Sequence, residues 1–267
     1  MAQYLDDGTI EAFHRDGVTV LRGAFTEWVD TLRRGVDFNI ENPGPDGRFY
    51  TGEAGGGRFM TDYCNWRRIS EYRDFIEHSP AAAIAAELMR ASRVQLFHEH
   101  VLVKEASADV PTPWHHDLPY YSITAPFSVS LWLPLDEVPR ERTLEFVAGS
   151  HAMGKQFQPQ RFNGNPINEG DGLETIPDIE ANRDRFEILG WALSPGDAVA
   201  FDFRTLHGAP ANRSKSAMRR AFSLRLVGEG ARFRRKEGIV TSPPFPDVTL
   251  ADGEPLAGEE FPVLLGG

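Results

Sequence analysis

The 267-residue sequence contains a single cysteine, Cys64, and this scarcity limits the sites that the chain can build. One thiol cannot form a disulfide within the chain, and it cannot supply the cysteine-rich ligand sets of structural zinc sites. Candidate reactive or metal-binding groups must therefore be sought among histidine, aspartate, glutamate and arginine.

Positive charge is also scarce. The sequence has 28 lysines and arginines against 39 aspartates and glutamates, which gives a formal net charge of −11. Domains that bind nucleic acid usually carry an excess of positive charge. We therefore expect a small molecule rather than a nucleic acid as the partner, and the composition leaves the oligomeric state open.

Long apolar runs are absent as well. The most apolar helical stretch, 80–89, contains Glu87 and is followed by Arg90, so it falls short of the roughly 20 residues that cross a bilayer. Residues 1–10 are polar and acidic and lack the basic and apolar regions of a secretory signal. These absences predict a cytoplasmic protein without a membrane partner.

The chain divides into parts of different character, which we expect to form one domain over residues 1–267. Residues 1–92 read mostly as helix, and residues 93–227 read as a β-rich core. The tail, 228–267, fits neither pattern.

Two segments look like long loops. Residues 44–57 are rich in glycine, and residues 152–185 interrupt the β core with proline, asparagine, glycine and charge. Segments of this kind often border a binding site, so both are candidate lids.

The β core consists of short apolar runs separated by proline and glycine turns. The strand-like runs are at 94–104, 127–135, 144–147, 186–193, 198–203 and 221–227. This spacing is typical of a β-sandwich or jelly roll. We therefore predict a mainly β fold with helices packed against it.

Alternation along the first run assigns its side chains to two faces. The even-numbered face carries Val94, Leu96, His98, His100 and Lys104. His98 and His100 could be a pair of metal ligands of the cupin type, but we favour buried residues that orient other ligands. Lys104 is either a partner for an anionic group or a solvated lysine at the strand end.

The strongest chemical signal is the segment PWHHD at 113–117, followed ninety positions later by His207. In an extended chain, positions i and i+2 point the same way, so His115 and Asp117 can reach one metal ion while His116 points elsewhere. Two imidazoles and one carboxylate form the facial triad of non-haem Fe(II) enzymes, which leaves coordination positions open.

Two adjacent arginines, Arg219 and Arg220, begin the run that follows His207 by twelve positions. The rigid fork of a guanidinium pairs with both oxygens of a carboxylate. One of these arginines therefore suits the anchoring of 2-oxoglutarate. Alternation allows only one of them to face the barrel interior and does not decide which.

Together, these residues resemble the landmarks of the phytanoyl-CoA dioxygenase family. The matching segments are WHHDLPYY at 114–121, LEFVAGSH at 144–151, PGD at 195–197, HGAPAN at 207–212, RRA at 219–221 and FHRDGVTVLR at 13–22. The resemblance covers roughly residues 10–227, and the tail from Gly228 has no counterpart in it.

The resemblance implies a double-stranded β-helix, the cupin-like jelly roll, with iron bound inside. It implies that Fe(II) is held by His115, Asp117 and His207, that Arg219 binds the distal carboxylate of 2-oxoglutarate, and that Trp132 lines the co-substrate pocket. It also implies that O2 and 2-oxoglutarate are consumed, that succinate and CO2 are released, and that a C–H bond of a small molecule is hydroxylated.

Two positions bear on this comparison. Many family members have glutamine where this chain has His116, so a co-substrate contact from that position is not expected. Related halogenases replace the carboxylate ligand by a small residue, whereas Asp117 is retained here. Retention of the carboxylate favours hydroxylation or another oxidation.

Three other functions fit parts of the sequence. Residues 149–155 match the first seven positions of a phosphate-binding P-loop, but Gln156 lacks the hydroxyl that should reach Mg²⁺. The same triad could hold Zn²⁺ in a hydrolase, although a hydrolase has no need of Arg219 as a carboxylate anchor. A jelly-roll binding module with an inactive site is the non-enzymatic alternative.

Overall fold

The computed structural model describes residues 3–52, 55–162, 164–168, 170 and 172–266. The α-helices within these ranges are α1 (Asp7–Asp16), α2 (Val29–Glu41), α3 (Ser70–His78) and α4 (Ala81–Met89). Among the described residues, none of the helices is long and apolar enough to cross a membrane.

The strands are all paired in antiparallel fashion, and most of them are short. In chain order they are β1 (Val18–Leu21), β2 (Arg48–Tyr50), β3 (Phe59–Tyr63), β4 (Val94–Lys104), β5 (Thr112–His115), β6 (Ile123–Thr124), β7 (Ser128–Pro134), β8 (Glu145–Val147), β9 (Ile188–Leu189), β10 (Ala198–Phe201), β11 (His207–Ala209), β12 (Arg219–Gly228), β13 (Arg232–Phe233) and β14 (Val263–Leu265).

Two sheets face each other and build the body of the protein. The major sheet has the order β1-β10-β7-β12-β4-β3-β2, and β14 also pairs with β4. The minor sheet has the order β5-β11-β8-β9, and β6 pairs with β13 separately. The predicted double-stranded β-helix with flanking helices is confirmed.

The outer face of the major sheet is covered by the helices. On β12, the alternate residues Phe222, Leu224 and Leu226 belong to the same buried apolar cluster as residues of α2, α3 and α4. The residues between them, among them Ser223 and Arg225, line the space between the two sheets. Strict alternation along one strand therefore separates the hydrophobic core from the polar interior.

One bulge changes the predicted alternation along β4. Arg225 on β12 is paired with His98, but the next residue, Leu226, is paired with Leu96, so Phe97 is the extra residue. A bulge shifts all side chains on one side of it to the opposite face. Val94 and Leu96 therefore join the apolar cluster beneath the helices instead of sharing a face with His98.

Residues 1–92 contain strands that were not predicted. The strands β2 and β3 extend the major sheet beyond β4, and β2 lies within the glycine-rich loop 44–57. Residues 53 and 54 of that loop lie outside the described residues. The predicted strand 186–193 is shorter than expected: only Ile188–Leu189 pair with β8, and the chain continues through Gly190 to an isolated bridge at Leu193.

The insertion 152–185 contains no α-helix or β-strand in its described part, as expected; residues 163, 169 and 171 lie outside that part. The tail is not separate from the core. Phe233, Phe245 and Phe261 pack in one apolar cluster with Phe97, the bulge residue of β4. The tail is thereby fixed at the end of the barrel.

The junction between α1 and β1 depends on a glycine. Asp6 caps α1 by accepting a hydrogen bond from the Thr9 backbone N–H at 2.8 Å, and Gly17 ends it with a left-handed φ of 76°. The Gly17 carbonyl accepts the Thr205 hydroxyl at 2.8 Å, two residues before His207. A Cβ on Gly17 would collide with Thr205 Oγ1 and with the His151 ring.

We predict that Gly17→Ala lowers the free energy of unfolding by about 3 kcal/mol, since it adds overpacking to left-handed backbone strain. Chemical denaturation measures this. Gly253→Ala is the matched control, because Gly253 has a similar φ of 82° and open space around it; its cost should be about 1 kcal/mol. Equal losses in both variants would show that the packing against Thr205 is unimportant.

Candidate functional site

A cavity of about 570 Å³ lies between the two sheets. The inner faces of the major and minor sheets form its walls, and residues of the insertion and of the tail also line it. It holds the three residues of the sequence motif, His115, Asp117 and His207, at one side.

Strand pairing brings the distant histidine to the motif. His207 on β11 lies directly opposite His115 on β5 in the minor sheet. Asp117 follows β5 by two residues, and its Oδ1 lies 3.7 Å from His115 Nε2 and 3.9 Å from His207 Nε2. The three potential ligand atoms all lie within 4.8 Å of one another, so one ion can reach all three.

Backbone contacts orient both histidine rings. His115 Nδ1 lies 2.8 Å from the Pro113 carbonyl, and His207 Nδ1 lies 2.9 Å from the Thr205 carbonyl. Because a carbonyl oxygen only accepts, each Nδ1 carries the proton and each Nε2 keeps its lone pair. Burial, followed by the neighbouring His115, lowers the pKa of His207 to about 3, so this ring is neutral at physiological pH.

The carboxylate of Asp117 is buried and held from the side opposite the histidines. Its Oδ2 accepts the Ser130 hydroxyl at 3.1 Å and lies 3.7 Å from the Arg225 guanidinium. Burial by itself raises the pKa of this carboxyl, but Arg225, His207 and His115 outweigh burial and hold the pKa below its usual value. Asp117 is therefore charged, with Oδ1 directed toward the two Nε2 atoms.

This donor set suits a divalent transition metal. Two neutral imidazoles and one carboxylate on one side of an ion form a facial triad, which is diagnostic of non-haem Fe(II) sites with open positions. The lone pairs of both rings are already directed toward the shared point by their Nδ1 contacts, as in other metal sites. The donor set and its convergence thus fit iron.

The two adjacent arginines face opposite sides of the sheet. Arg219 lines the cavity and is 6% exposed, and it donates a hydrogen bond to the Arg142 carbonyl. Arg220 points outward and forms ion pairs of 2.7 Å with Asp136 and Asp37. Among the described residues, Arg219 has no carboxylate partner, so it is a buried cation available to an anion.

A comparison with protein-family models places the chain in a family. The model of the phytanoyl-CoA dioxygenase family matches residues 13–221, which is most of the chain. The chain belongs to the phytanoyl-CoA dioxygenase family. No curated protein matches it.

Solved structures share the fold of this family member. The carbocyclase SnoK from nogalamycin biosynthesis, described as alpha-ketoglutarate-dependent, is 21% identical with a TM-score of 0.77, over 97% of this chain and 96% of that one. The epimerase SnoN, in complex with Fe3+, alpha-ketoglutarate and nogalamycin RO, is 24% identical with a TM-score of 0.77, over 97% and 98%. EctD from S. alaskensis, with 2-oxoglutarate and 5-hydroxyectoine, is 20% identical with a TM-score of 0.72, over 95% and 86%.

Other residues singled out from the sequence have definite places. Trp132 on β7 lines the cavity. His116 points away from the triad, and its Nε2 accepts the Phe157 backbone N–H at 2.9 Å. This contact attaches the insertion to the loop that follows β5. Lys104 is buried rather than solvated; its Nζ donates to the Pro210 carbonyl at 3.1 Å and lies over the Phe59 ring.

The remaining alternatives can be compared with the same geometry. His98 and His100 line the cavity, but in the described part of the chain neither makes a hydrogen bond to the triad, so they do not orient its rings as expected. The P-loop-like segment is followed by no α-helix in the described residues, and Lys155 forms an exposed ion pair with Glu174. This segment therefore lacks the helix terminus that binds phosphate.

Arg225, which pairs with Tyr121, was not predicted from the sequence. Arg225 Nε donates to the Tyr121 hydroxyl at 2.8 Å, and both side chains are buried beside Asp117. A signal was present in the sequence: Arg219 and Arg225 are six residues apart on one strand, so alternation gives them the same face. A polar residue on the inner face of an apolar strand was the clue.

We predict that Arg225→Met weakens Fe(II) binding about tenfold or more, because the Asp117 carboxylate loses the cation that holds it charged and oriented. Anaerobic Fe(II) titration of the full chain measures the dissociation constant. Arg220→Met is the matched control and should leave the affinity unchanged, because Arg220 faces the other side of the same strand. Equal affinities of both variants would contradict a role of Arg225 at Asp117.

Proposed function

We propose that this protein is an Fe(II)- and 2-oxoglutarate-dependent dioxygenase that hydroxylates a C–H bond of a small-molecule substrate, with release of succinate and CO2. Iron, 2-oxoglutarate and O2 together supply an oxidant strong enough to attack such a bond. The protein contributes the ligands, the placement of both substrates and the exclusion of water.

The observation that carries this proposal is the buried guanidinium of Arg219, which lines the same cavity as the triad and has no carboxylate partner among the described residues. A buried charge without a counterion is costly, and a ligand carboxylate would remove the cost. The fork of Arg219 suits the distal carboxylate of 2-oxoglutarate, and the other end of that molecule would be left free to bind the metal. Trp132 lines the cavity and would bound the co-substrate pocket.

The triad has the ligand function in this proposal. His115 and His207 would bind iron through Nε2, and Asp117 would bind it through Oδ1, while Oδ2 stays with Ser130. A carboxylate at this position leaves no room for a halide ligand, which supports hydroxylation over halogenation. A zinc hydrolase would use the same three ligands but would leave Arg219 without a purpose.

The loops support a water-excluding role. The hydroxyl of Tyr120, beside the triad, donates to the Gln160 carbonyl at 2.8 Å and accepts from the Gln160 N–H at the same distance. Asn168 of the insertion and Val240 of the tail are joined by two hydrogen bonds, of 2.8 and 3.0 Å. Since insertion and tail cover one cavity, we propose that residues 1–267 act as a single oxygenase domain.

The first test is an anaerobic titration with Fe(II) and then 2-oxoglutarate. We expect the weak visible charge-transfer band of the iron chelate. For Arg219→Ala we expect the same band intensity to require a 2-oxoglutarate concentration about tenfold higher or more, because a charge-assisted contact is lost. Arg220→Ala should behave like the unchanged chain. Bound metal without any such band would direct the assignment toward a zinc hydrolase or a binding module.

The second test concerns the ligands. His115→Ala and Asp117→Ala should each abolish iron-dependent decarboxylation of 2-oxoglutarate, measured as succinate formed. Each variant removes one of the three ligands, and the two that remain do not hold the ion. His116→Ala should retain turnover, since His116 faces the insertion instead of the metal. Retained turnover in both ligand variants would refute the site.

A further inference from the structure

The cavity wall on the major sheet carries polar side chains that neither the proposed metal site nor the proposed co-substrate site uses. His98 and His100 on β4 and Ser223 on β12 all line the cavity. His100 is paired with Ser223 across the strands, and His98 is paired with Arg225. We call His98, His100 and Ser223 the polar wall.

One polar atom of each residue in the polar wall has no hydrogen-bond partner in the described part of the chain. His98 is 2% exposed and Ser223 is 0% exposed. Within the described residues, neither the Nε2 atoms of His98 and His100 nor the Ser223 hydroxyl has a hydrogen-bond partner. Buried polar atoms are normally paired, and an unpaired one costs free energy that a ligand can recover. Three such atoms on one cavity wall therefore indicate a ligand surface.

The polar wall is neutral and offers an acceptor at His98. His98 Nδ1 lies 3.2 Å from the Glu99 carbonyl, so Nδ1 carries the proton and Nε2 is left as an acceptor. Burial and the nearby Arg225 lower the pKa of His98 well below its usual value and that of His100 to about 3. Both rings are therefore neutral at physiological pH, and a hydroxyl donor complements them.

The charges of the cavity argue against a positively charged group of the ligand as the hydrogen-bond donor to the polar wall. Its lining includes Arg48, Arg161, Arg219 and Arg225 but only one acidic residue, Asp117, in the described part of the chain. An ammonium group would meet net positive charge there. A carboxylate would place its lone pairs against the acceptor of His98. A neutral hydroxyl group meets neither obstacle.

Aromatic rings lie at another part of the same cavity. Tyr50 of β2 and Phe162 of the insertion both line it, and their ring centroids are 4.8 Å apart. Aromatic side chains in a cavity pack against the apolar faces of a ring-containing ligand. The ligand that suits both features has a ring body and hydroxyl groups at its edge.

We infer that the polar wall selects the prime substrate, and that this substrate is a neutral, ring-containing molecule whose hydroxyl groups pair with His98, His100 and Ser223. The inference rests on the proposed function, since it assigns the second substrate of that cavity. Hydroxyl groups of this kind occur on phenolic ring systems and on sugar rings, and the test separates these two sources.

The test is a calorimetric titration of the full chain under argon, with and without Fe(II) and 2-oxoglutarate. The probes are 2,7-dihydroxynaphthalene and its dimethyl ether for the phenolic source, and 4-nitrophenyl β-D-glucopyranoside and its tetra-O-methyl ether for the sugar source. We expect one hydroxylated probe to bind about tenfold or more tightly than its methyl ether, because a site built for hydroxyl groups rejects analogues that lack them.

Variants connect this preference to the polar wall. His98→Phe and His100→Phe should each weaken the hydroxylated probe about tenfold and leave its ether unchanged. His98→Gln, whose amide oxygen still accepts, should restore most of the affinity. His78→Phe is the control, because His78 is an exposed residue at the end of α3, outside the cavity. Thermal melting of each variant verifies the fold.

Several outcomes would overturn the inference. They are tighter binding of the ethers, an unchanged preference in His98→Phe, and no binding of either hydroxylated probe. None of these depends on iron or 2-oxoglutarate, because the metal-free chain is titrated as well. A chelate band together with no preference for the hydroxylated probes would therefore refute only the inference about the polar wall. Absence of the chelate band would refute only the oxygenase proposal.

Discussion

The contact between Asp117 and Arg225 is the constraint on which the rest of the site depends. A carboxylate buried between two neutral imidazoles would take up a proton, because burial disfavours its charged form. Arg225 on the opposite side reverses this balance and keeps the pKa low. Arg225 is itself buried, so it is held by Tyr121 as well as by Asp117. The charged ligand therefore requires strands β7 and β12 and the loop after β5 to be in place together.

Strand β12 shows how one stretch of sequence serves both stability and chemistry. Its residues Phe222 and Leu224 belong to the core beneath the helices, while Arg219, Ser223 and Arg225 face the cavity. A slip of one residue would exchange these sets, placing arginine in the core and phenylalanine beside the metal ligands. The apolar core thus fixes the register that positions the polar side chains, and this explains why a buried arginine is tolerated there.

The parts of the site that could be predicted are those set by local spacing. The i and i+2 positions of His115 and Asp117 predicted that both side chains point to one side, and a distant histidine, His207, was expected to complete the triad. Alternation left Arg219 and Arg220 open, and only the family resemblance indicated Arg219. Long-range pairing decided the rest. The bulge at Phe97 moved Val94 and Leu96 to the helix side, and no period-two pattern reports a bulge. Strand β3 pairs with the edge of β4, and β2 pairs with β3, so both depend on long-range pairing and their own short sequences gave little signal.

The charge of the cavity lining is opposite in sign to the net charge of the whole chain. The protein has a formal net charge of −11, whereas its cavity carries four arginines and one aspartate in the described lining. A dianion such as 2-oxoglutarate is repelled by the surface and attracted by the interior, since low-dielectric walls concentrate the local field. Arg219 is only 6% exposed, so it attracts an anion that has already entered the cavity. Arg48 and Arg161 are exposed residues of the same lining, so under the proposed function they would attract a dianion to the cavity, and the buried Arg219 would position it.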